Sequence, residues 1–174
     1  MDRGYWDNYW LGSGHLTPSN EYDIAEICLN GHVSNDSTKV NPSECKPFCD
    51  ECGEKTITKC QNCSNDIRGY KINTNYNYSY KAPAYCINCG LPFPWIAKKL
   101  EAALELADLT DDFDDKDKEI LSKNLNDLVR DTPRTQVAAI QFKKLVYRLE
   151  PHFIEGFKSI LYNVLSDPVN KMIW

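Results

Sequence analysis

The sequence lacks an excess of basic side chains, with 20 Lys and Arg against 25 Asp and Glu among its 174 residues. A chain with this net charge of -5 is not drawn to nucleic-acid phosphates by its overall field, although a local basic patch could still bind them. No stretch approaches the length of a membrane span. The start, Met-Asp-Arg-Gly-Tyr, also lacks the charged and then apolar run of a secretory signal. The sequence therefore predicts a cytoplasmic protein.

The two halves of the chain lack different things. The first ninety-odd residues are poor in Leu and Val but hold all eight cysteines, between Cys28 and Cys89. A region this short and polar buries too little apolar surface to offset its chain entropy, so a metal or a disulfide framework is the usual remedy. From Pro94 onward the chain has no cysteine and is rich in Leu, Ile, Ala and Lys. That half can pack a conventional helical core.

Six of the cysteines form three Cys-x-x-Cys pairs, and a half-site, Cys28-Leu-Asn-Gly-His32, precedes them. Close pairs in a chain expected in the cytoplasm favour zinc over disulfides. Four two-ligand units are enough for two tetrahedral, closed sites, which favours two structural Zn²⁺ ions over a catalytic one. The predicted metal ligands are Cys28, His32, Cys49, Cys52, Cys60, Cys63, Cys86 and Cys89.

Two questions about these sites stay open at the level of sequence. Tandem pairing joins the first unit to the second and the third to the fourth, and the similar loop lengths favour it. A cross-braced arrangement, which joins the first unit to the third, is the rival. Cys45 lies four residues before Cys49 and could replace His32 as a ligand. We favour His32, because Gly31 gives it a cleaner turn.

The C-terminal half shows apolar residues at helical spacing after Pro94, after the acidic run 111–115, after Thr132-Pro133 and after Pro151. We expect four helices in a small bundle, with Asp167-Pro168 ending the fourth and an apolar tail after it. The predicted fold is thus a zinc-stabilised, β-rich double zinc ribbon followed by an all-α, four-helix bundle-like domain. The predicted domains are residues 1–93, which include an aromatic N-terminal arm, and residues 94–174.

Two resemblances support this division. Phe48-Cys49-Asp-Glu-Cys52-Gly53, Cys60-Gln-Asn-Cys63 and Tyr85-Cys86-Ile-Asn-Cys89-Gly90 resemble the double zinc ribbon, except that His32 replaces a cysteine. A second resemblance covers most of the chain, to a family of uncharacterised bacterial proteins catalogued as domain of unknown function 2321. It is carried by Ile27-Cys28-Leu-Asn-Gly-His32-Val33, Ile67-Arg68-Gly69, Cys89-Gly90-x-Pro92-Phe93-Pro94-Trp95 and Asp131-Thr132-Pro133-Arg134-Thr135. That resemblance implies a bacterial cytosolic protein with zinc ribbons fused to helices. It implies no activity and no catalytic residues.

The favoured function is a non-catalytic adaptor whose ribbons and helical surface bind another protein, with self-association as a further option. The alternative is nucleic-acid binding by Tyr76, Tyr78 and Tyr80, which alternate on one predicted strand face, with the basic residues Arg68, Lys71 and Lys81. An enzyme is disfavoured. His32 is expected on zinc, no nucleophile–base pair is evident beside His15 or His152, and no glycine-rich phosphate loop occurs.

Overall fold

The computed structural model describes residues 22–72, 79–130 and 132–174. The aromatic arm, Tyr76, Tyr78 and Asp131 lie outside these ranges, so the predictions that rest on them stay predictions. Within the described ranges, five short strands precede five α-helices. The strands are Tyr22–Ile24 (β1), Glu26–Cys28 (β2), Val33–Asn35 (β3), Thr56–Ile57 (β4) and Arg68–Lys71 (β5).

The strands form two small antiparallel sheets, one of β1 and β5 and one in the order β3-β2-β4. The sequence predicts one strand from Tyr22 to Cys28, but the chain divides at Ala25, whose N–H donates to the carbonyl of Ile67 at 2.9 Å. One stretch of backbone therefore serves both sheets. The sequence also predicts a short strand over residues 55–59, and the structure has a strand there only at Thr56–Ile57.

Residues 33–44, predicted to be a loop, begin instead with β3, because their first residues pair with β2. The rest is irregular apart from a 3₁₀ turn at Pro42–Glu44. The buried carboxylate of Asp23 accepts the backbone N–H groups of Lys39 at 2.8 Å and Val40 at 3.1 Å. This carboxylate fixes the loop against the strands.

The helical part differs from the prediction in number, since five α-helices rather than four occur in the described residues. Asp167-Pro168 begins the fifth helix instead of ending the fourth, with Ser166 as its N-cap. Proline suits the first helical turn as well as the residues after a helix, because its missing N–H is not needed there. The helices are Pro94–Asp108 (α1), Asp115–Arg130 (α2), Thr135–Val146 (α3), Pro151–Leu161 (α4) and Asp167–Ile173 (α5).

The start of α3 also lies later than Thr132-Pro133 predicts. The N–H of Arg134 donates to Thr132 Oγ1 at 3.2 Å, and the helix begins at Thr135. Arg134 pairs with Asp127 of α2, with 3.2 Å between Nε and Oδ2. The hydroxyl of Thr135 donates to the Asp127 carbonyl at 3.0 Å. The turn therefore joins α2 to α3 through Asp127.

The helical core is built around Phe142 of α3, which is fully buried. Phe157 of α4 and Trp174 both meet its ring edge to face, each with 5.9 Å between ring centroids. Edge-to-face pairs of this kind add stability beyond the area they bury. The apolar tail therefore packs into the core.

Trp95 joins the ribbon region to the helices. It stacks on Phe93 with 4.7 Å between centroids and donates its indole N–H to the carbonyl of Pro83 at 2.9 Å. Each two-ligand unit forms a tight turn, called a knuckle below. A Cβ atom added to Gly31 would approach Trp95 Cβ to 2.9 Å, so the first knuckle, Cys28 to His32, lies directly against this ring. The buried apolar residues of both regions consequently form one continuous cluster.

Candidate metal centres

The structure brings the eight predicted ligands together as two groups of four. One group contains Cys28, His32, Cys49 and Cys52, and the other contains Cys60, Cys63, Cys86 and Cys89. Within each group the candidate ligand atoms all lie within 4.8 Å of one another. This is the tandem arrangement, and the cross-braced alternative does not occur.

The spacing within each group fits a tetrahedral metal ion. A tetrahedron with metal–sulfur bonds of about 2.3 Å has edges of about 3.8 Å. The Sγ atoms of Cys28 and Cys52 lie 3.8 Å apart, those of Cys60 and Cys89 3.8 Å, and those of Cys63 and Cys86 3.6 Å. All eight cysteines lie in the described ranges and none forms a disulfide.

His32 completes the first group through Nδ1. This atom lies 3.3 Å from the sulfur of Cys52 and 3.6 Å from that of Cys49. A nitrogen and a sulfur bound to one tetrahedral zinc are about 3.5 Å apart, given bonds of about 2.0 and 2.3 Å. The other ring nitrogen, Nε2, faces the carboxylate of Glu51 at 3.9 Å. This distance is too long for a direct hydrogen bond, so the contact is an electrostatic one between exposed side chains.

The four knuckles share one pattern of backbone hydrogen bonds, although the turn of the first, at Cys28, is one residue shorter than the others. In each, the N–H of the first cysteine donates to a carbonyl beyond the turn, and an N–H inside the turn returns to the carbonyl of that cysteine at 2.8 Å. The turn residue has positive φ in every case: Gly31 at 91°, Gly53 at 70°, Ser64 at 58° and Gly90 at 71°. The sequence predicts this conformation at Gly53 and Gly90. Ser64 adopts it without being a glycine.

Two asparagines that the sequence analysis did not single out contact the sulfurs. Asn30 Nδ2 donates to the sulfur of Cys52, and Asn88 Nδ2 donates to that of Cys63, each at 3.5 Å. Each asparagine is the second residue after the first cysteine of its knuckle and reaches across to the other knuckle of the same site. Both stand in a Cys-x-Asn pattern, but so does Asn62, so this pattern alone does not identify them.

Hydrogen bonds and burial shift the pKa values of the cysteine thiols in opposite directions. The backbone N–H of Glu54 and the amide of Asn30 lower the pKa of Cys52 to about 6. The amide of Asn88 and the backbone N–H of Asn65 likewise lower the pKa of Cys63 to about 6. Burial, in contrast, raises the pKa of Cys28.

Each group therefore presents at least one ready thiolate beside thiols that a divalent cation would deprotonate. Three or four sulfurs with at most one imidazole form a soft donor set that favours zinc over magnesium or calcium. The residues thus fit two closed Zn²⁺ sites, one Cys₃His and one Cys₄. The bound ions themselves stay a prediction.

Residues outside the two groups can also be placed. Cys45 lies apart from both, is exposed, and accepts a long hydrogen bond from Asn35 at 3.6 Å. His32, rather than Cys45, thus stands with the first group. His152 is exposed and faces Glu150, with 3.3 Å between Nδ1 and Oε2.

The described members of the predicted nucleic-acid patch contact other parts of the protein. The Tyr80 hydroxyl donates to the carbonyl of Arg68, and the Arg68 guanidinium lies 4.1 Å from the ring centroid of Tyr22. Lys81 pairs with Asp167 at 3.6 Å. Because Tyr76 and Tyr78 lie outside the described residues, the predicted stacking face itself stays a prediction.

Two pairs of metal-binding knuckles followed by helices define a class of small protein, a zinc ribbon-like region joined to a helical region. The chain matches the family described as "Uncharacterized protein conserved in bacteria (DUF2321)" over residues 21–173, and it belongs to that family. Comparison with curated proteins and comparison with solved structures each gave no match. In the part of the chain that the structure describes, no helix is long and apolar enough to cross a bilayer.

Proposed function

We propose that this protein is a non-catalytic adaptor of the bacterial cytoplasm, in which two structural zinc ions hold the ribbon loops as a recognition surface for another protein. The observation that carries the proposal is the exposure of large apolar side chains on the knuckles. Phe48, directly before Cys49, is 61% exposed, and Ile87, between Cys86 and Cys89, is 68% exposed. Large apolar side chains held on a fixed turn can serve as anchors in a protein–protein interface.

The charges near Phe48 suggest which partner would suit it. Asp50, Glu51 and Glu54 lie in the same knuckle, and the whole chain is acidic. Lys46 pairs with Asp50 and Lys98 with Glu54, but Glu51 faces only the imidazole of His32 in the described part of the chain. A partner with an apolar recess and a basic rim would complement this surface.

Closed sites support a structural rather than a catalytic role for the metal. Each group offers four protein ligand atoms, which leaves no coordination position for a water or a substrate. A centre with three or four thiolates is also electron-rich and therefore a poor Lewis acid. The nucleic-acid alternative is not advanced further, because Arg68, Tyr80 and Lys81 make the internal contacts described above.

A comparative affinity capture tests the proposal. Tagged wild-type protein, Ile87→Ser and Val40→Ser are used as bait in extract of the source bacterium, and the zinc content of each bait is measured first. Val40 is a matched control, since it is 62% exposed but lies outside the knuckles. We expect a partner that wild type and Val40→Ser recover and that Ile87→Ser loses at full zinc content. Equal recovery by all three baits, or no partner for wild type, would contradict the proposal.

A further inference from the structure

A cleft of about 410 Å³ lies where the first knuckle, the segment before α1 and the turn between α4 and α5 meet. Gly31 and His32 line one side, Trp95 and Lys99 of α1 form another, and Tyr162 and Asn163 close it. Small-molecule sites have volumes in this range and combine apolar walls with a few polar groups. The cleft is separate from the exposed apolar side chains of the knuckles on which the proposed function rests.

Lys99 is the informative residue of this cleft. It is half-buried, and among the described residues it has no hydrogen-bond or ion-pair partner. Burial lowers the pKa of its ammonium group, and no carboxylate acts in the other direction. A lysine that loses water without gaining a partner is destabilising in the free protein.

The remaining groups of the cleft do not compensate that charge. Lys81 and Asp167 also line it, but they are 3.6 Å apart and pair with each other. Tyr162 and Asn163 add a hydroxyl and a side-chain amide, both of which can donate to oxygen. Trp95 and Ile96 supply an apolar wall.

We propose that this cleft binds a small molecule that carries an oxyanion, a carboxylate or a phosphate, on a compact apolar body, with Lys99 as the anion-binding residue. Lysine binds such groups as a point charge, and hydrogen bonds to charged groups are stronger than neutral ones. The apolar wall accepts the body of the ligand, while Tyr162 and Asn163 surround its oxygens.

Titration calorimetry of the zinc-loaded protein with inorganic phosphate and, separately, with benzoate tests the proposal. Phosphate presents the oxyanion alone, and benzoate adds an apolar ring. We expect at least one of the two to bind wild type, and Lys99→Met to weaken that binding by about tenfold or more. Lys144→Met is the control for charge, because Lys144 is an exposed residue of another helix. It should leave binding unchanged.

Thermal unfolding without ligand distinguishes this role from a purely structural one. If Lys99 serves to bind an anion, the charge of Lys99 is uncompensated in the free protein. Lys99→Met should then raise the Tm of the free protein at unchanged zinc content. If Lys99 instead neutralises the nearby metal–thiolate centre, the same variant should lose zinc or stability. That result would overturn the proposal. So would the absence of binding of both probes up to about 10 mM, or equal binding by wild type and Lys99→Met.

Discussion

The ribbon region, residues 22–93, and the helical region, residues 94–174, fill their interiors with different groups. Among large side chains that are completely buried, the ribbon region contributes Ile27, Ile67 and Cys28. The helical region contributes two phenylalanines and six aliphatic residues. They come from α2, α3, α4 and α5 and are Phe142, Phe157, Leu121, Leu125, Leu128, Val146, Leu161 and Ile173. A region with so few apolar residues needs another source of folding free energy, and metal bound by the two ligand groups would provide it.

The two regions are nevertheless joined. Trp95 belongs to α1 but packs on Phe93 and Gly31 and bonds to Pro83, all of which belong to the ribbon region. Because of this contact, we expect the two regions to unfold only partly independently of each other. Loss of the metal should unfold the ribbons and weaken the helices, whereas damage to the helical core should leave the metal sites bound.

Removal of the metal is the largest perturbation. A strong chelator should unfold residues 22–93, because structural zinc contributes about 10 kcal/mol or more to the folding of small zinc domains. The far-UV circular dichroism of the helices should largely remain, while the amide NMR signals of the ribbon region collapse. Re-addition of about two equivalents of Zn²⁺ should restore them. Ribbon signals that survive chelation would show that the region has a sufficient core without metal.

Truncation of the central helical side chain should have the next largest effect. Phe142→Ala removes a fully buried ring that meets Phe157 and Trp174, and should lower the free energy of unfolding by about 3–5 kcal/mol. Ile140→Ala, at a position 52% exposed on the same helix, should change it by less than about 0.5 kcal/mol. Chemical denaturation followed by circular dichroism measures both values. Release of zinc from Phe142→Ala under native conditions would show that the regions do not separate.

The stability contributed by the Trp95 contact between the two regions can be measured with two glycines that both have positive φ. A Cβ at Gly31 would collide with Trp95, whereas no described residue other than the chain neighbours lies within 4 Å of a Cβ at Gly53. Gly53→Ala should cost about 1–2 kcal/mol for the left-handed conformation alone. Gly31→Ala should cost that and the displacement of Trp95 as well. If thermal unfolding shows the same loss of stability for both variants, the Trp95 contact contributes little to the packing between the two regions.

The parts of the fold that follow from short sequence spacing were predictable. The Cys-x-x-Cys units identify the residues that cluster, and Pro94 and Pro151 mark the starts of α1 and α4. Such features depend on a few consecutive residues, whose geometry the chain dictates locally.

The missed features depend on longer range or on an ambiguous signal. Pro168 is compatible with a helix end and with a helix start, and the contact of Trp174 with Phe142, which accompanies the helix start, lies between residues far apart in sequence. Asn30 and Asn88 act on sulfurs in other knuckles, so pairing had to be known first. The cleft around Lys99 combines three distant segments and leaves no pattern in the sequence.

The smallest expected effect concerns the one knuckle turn that is not a glycine. Ser64 holds φ at 58°, a conformation that costs a residue with a Cβ about 1–2 kcal/mol. Ser64→Gly should therefore raise the free energy of unfolding of the zinc-loaded protein, by about 0.5–1 kcal/mol once the greater chain entropy of glycine is subtracted. Ser64→Ala is the control, because it removes the hydroxyl but keeps the Cβ, and it should change stability little. If Ser64→Ala is as stabilising as Ser64→Gly, the backbone conformation is not the cause. If Ser64→Gly is destabilising, the serine side chain supports its knuckle in a way that the glycines of the other knuckles do not.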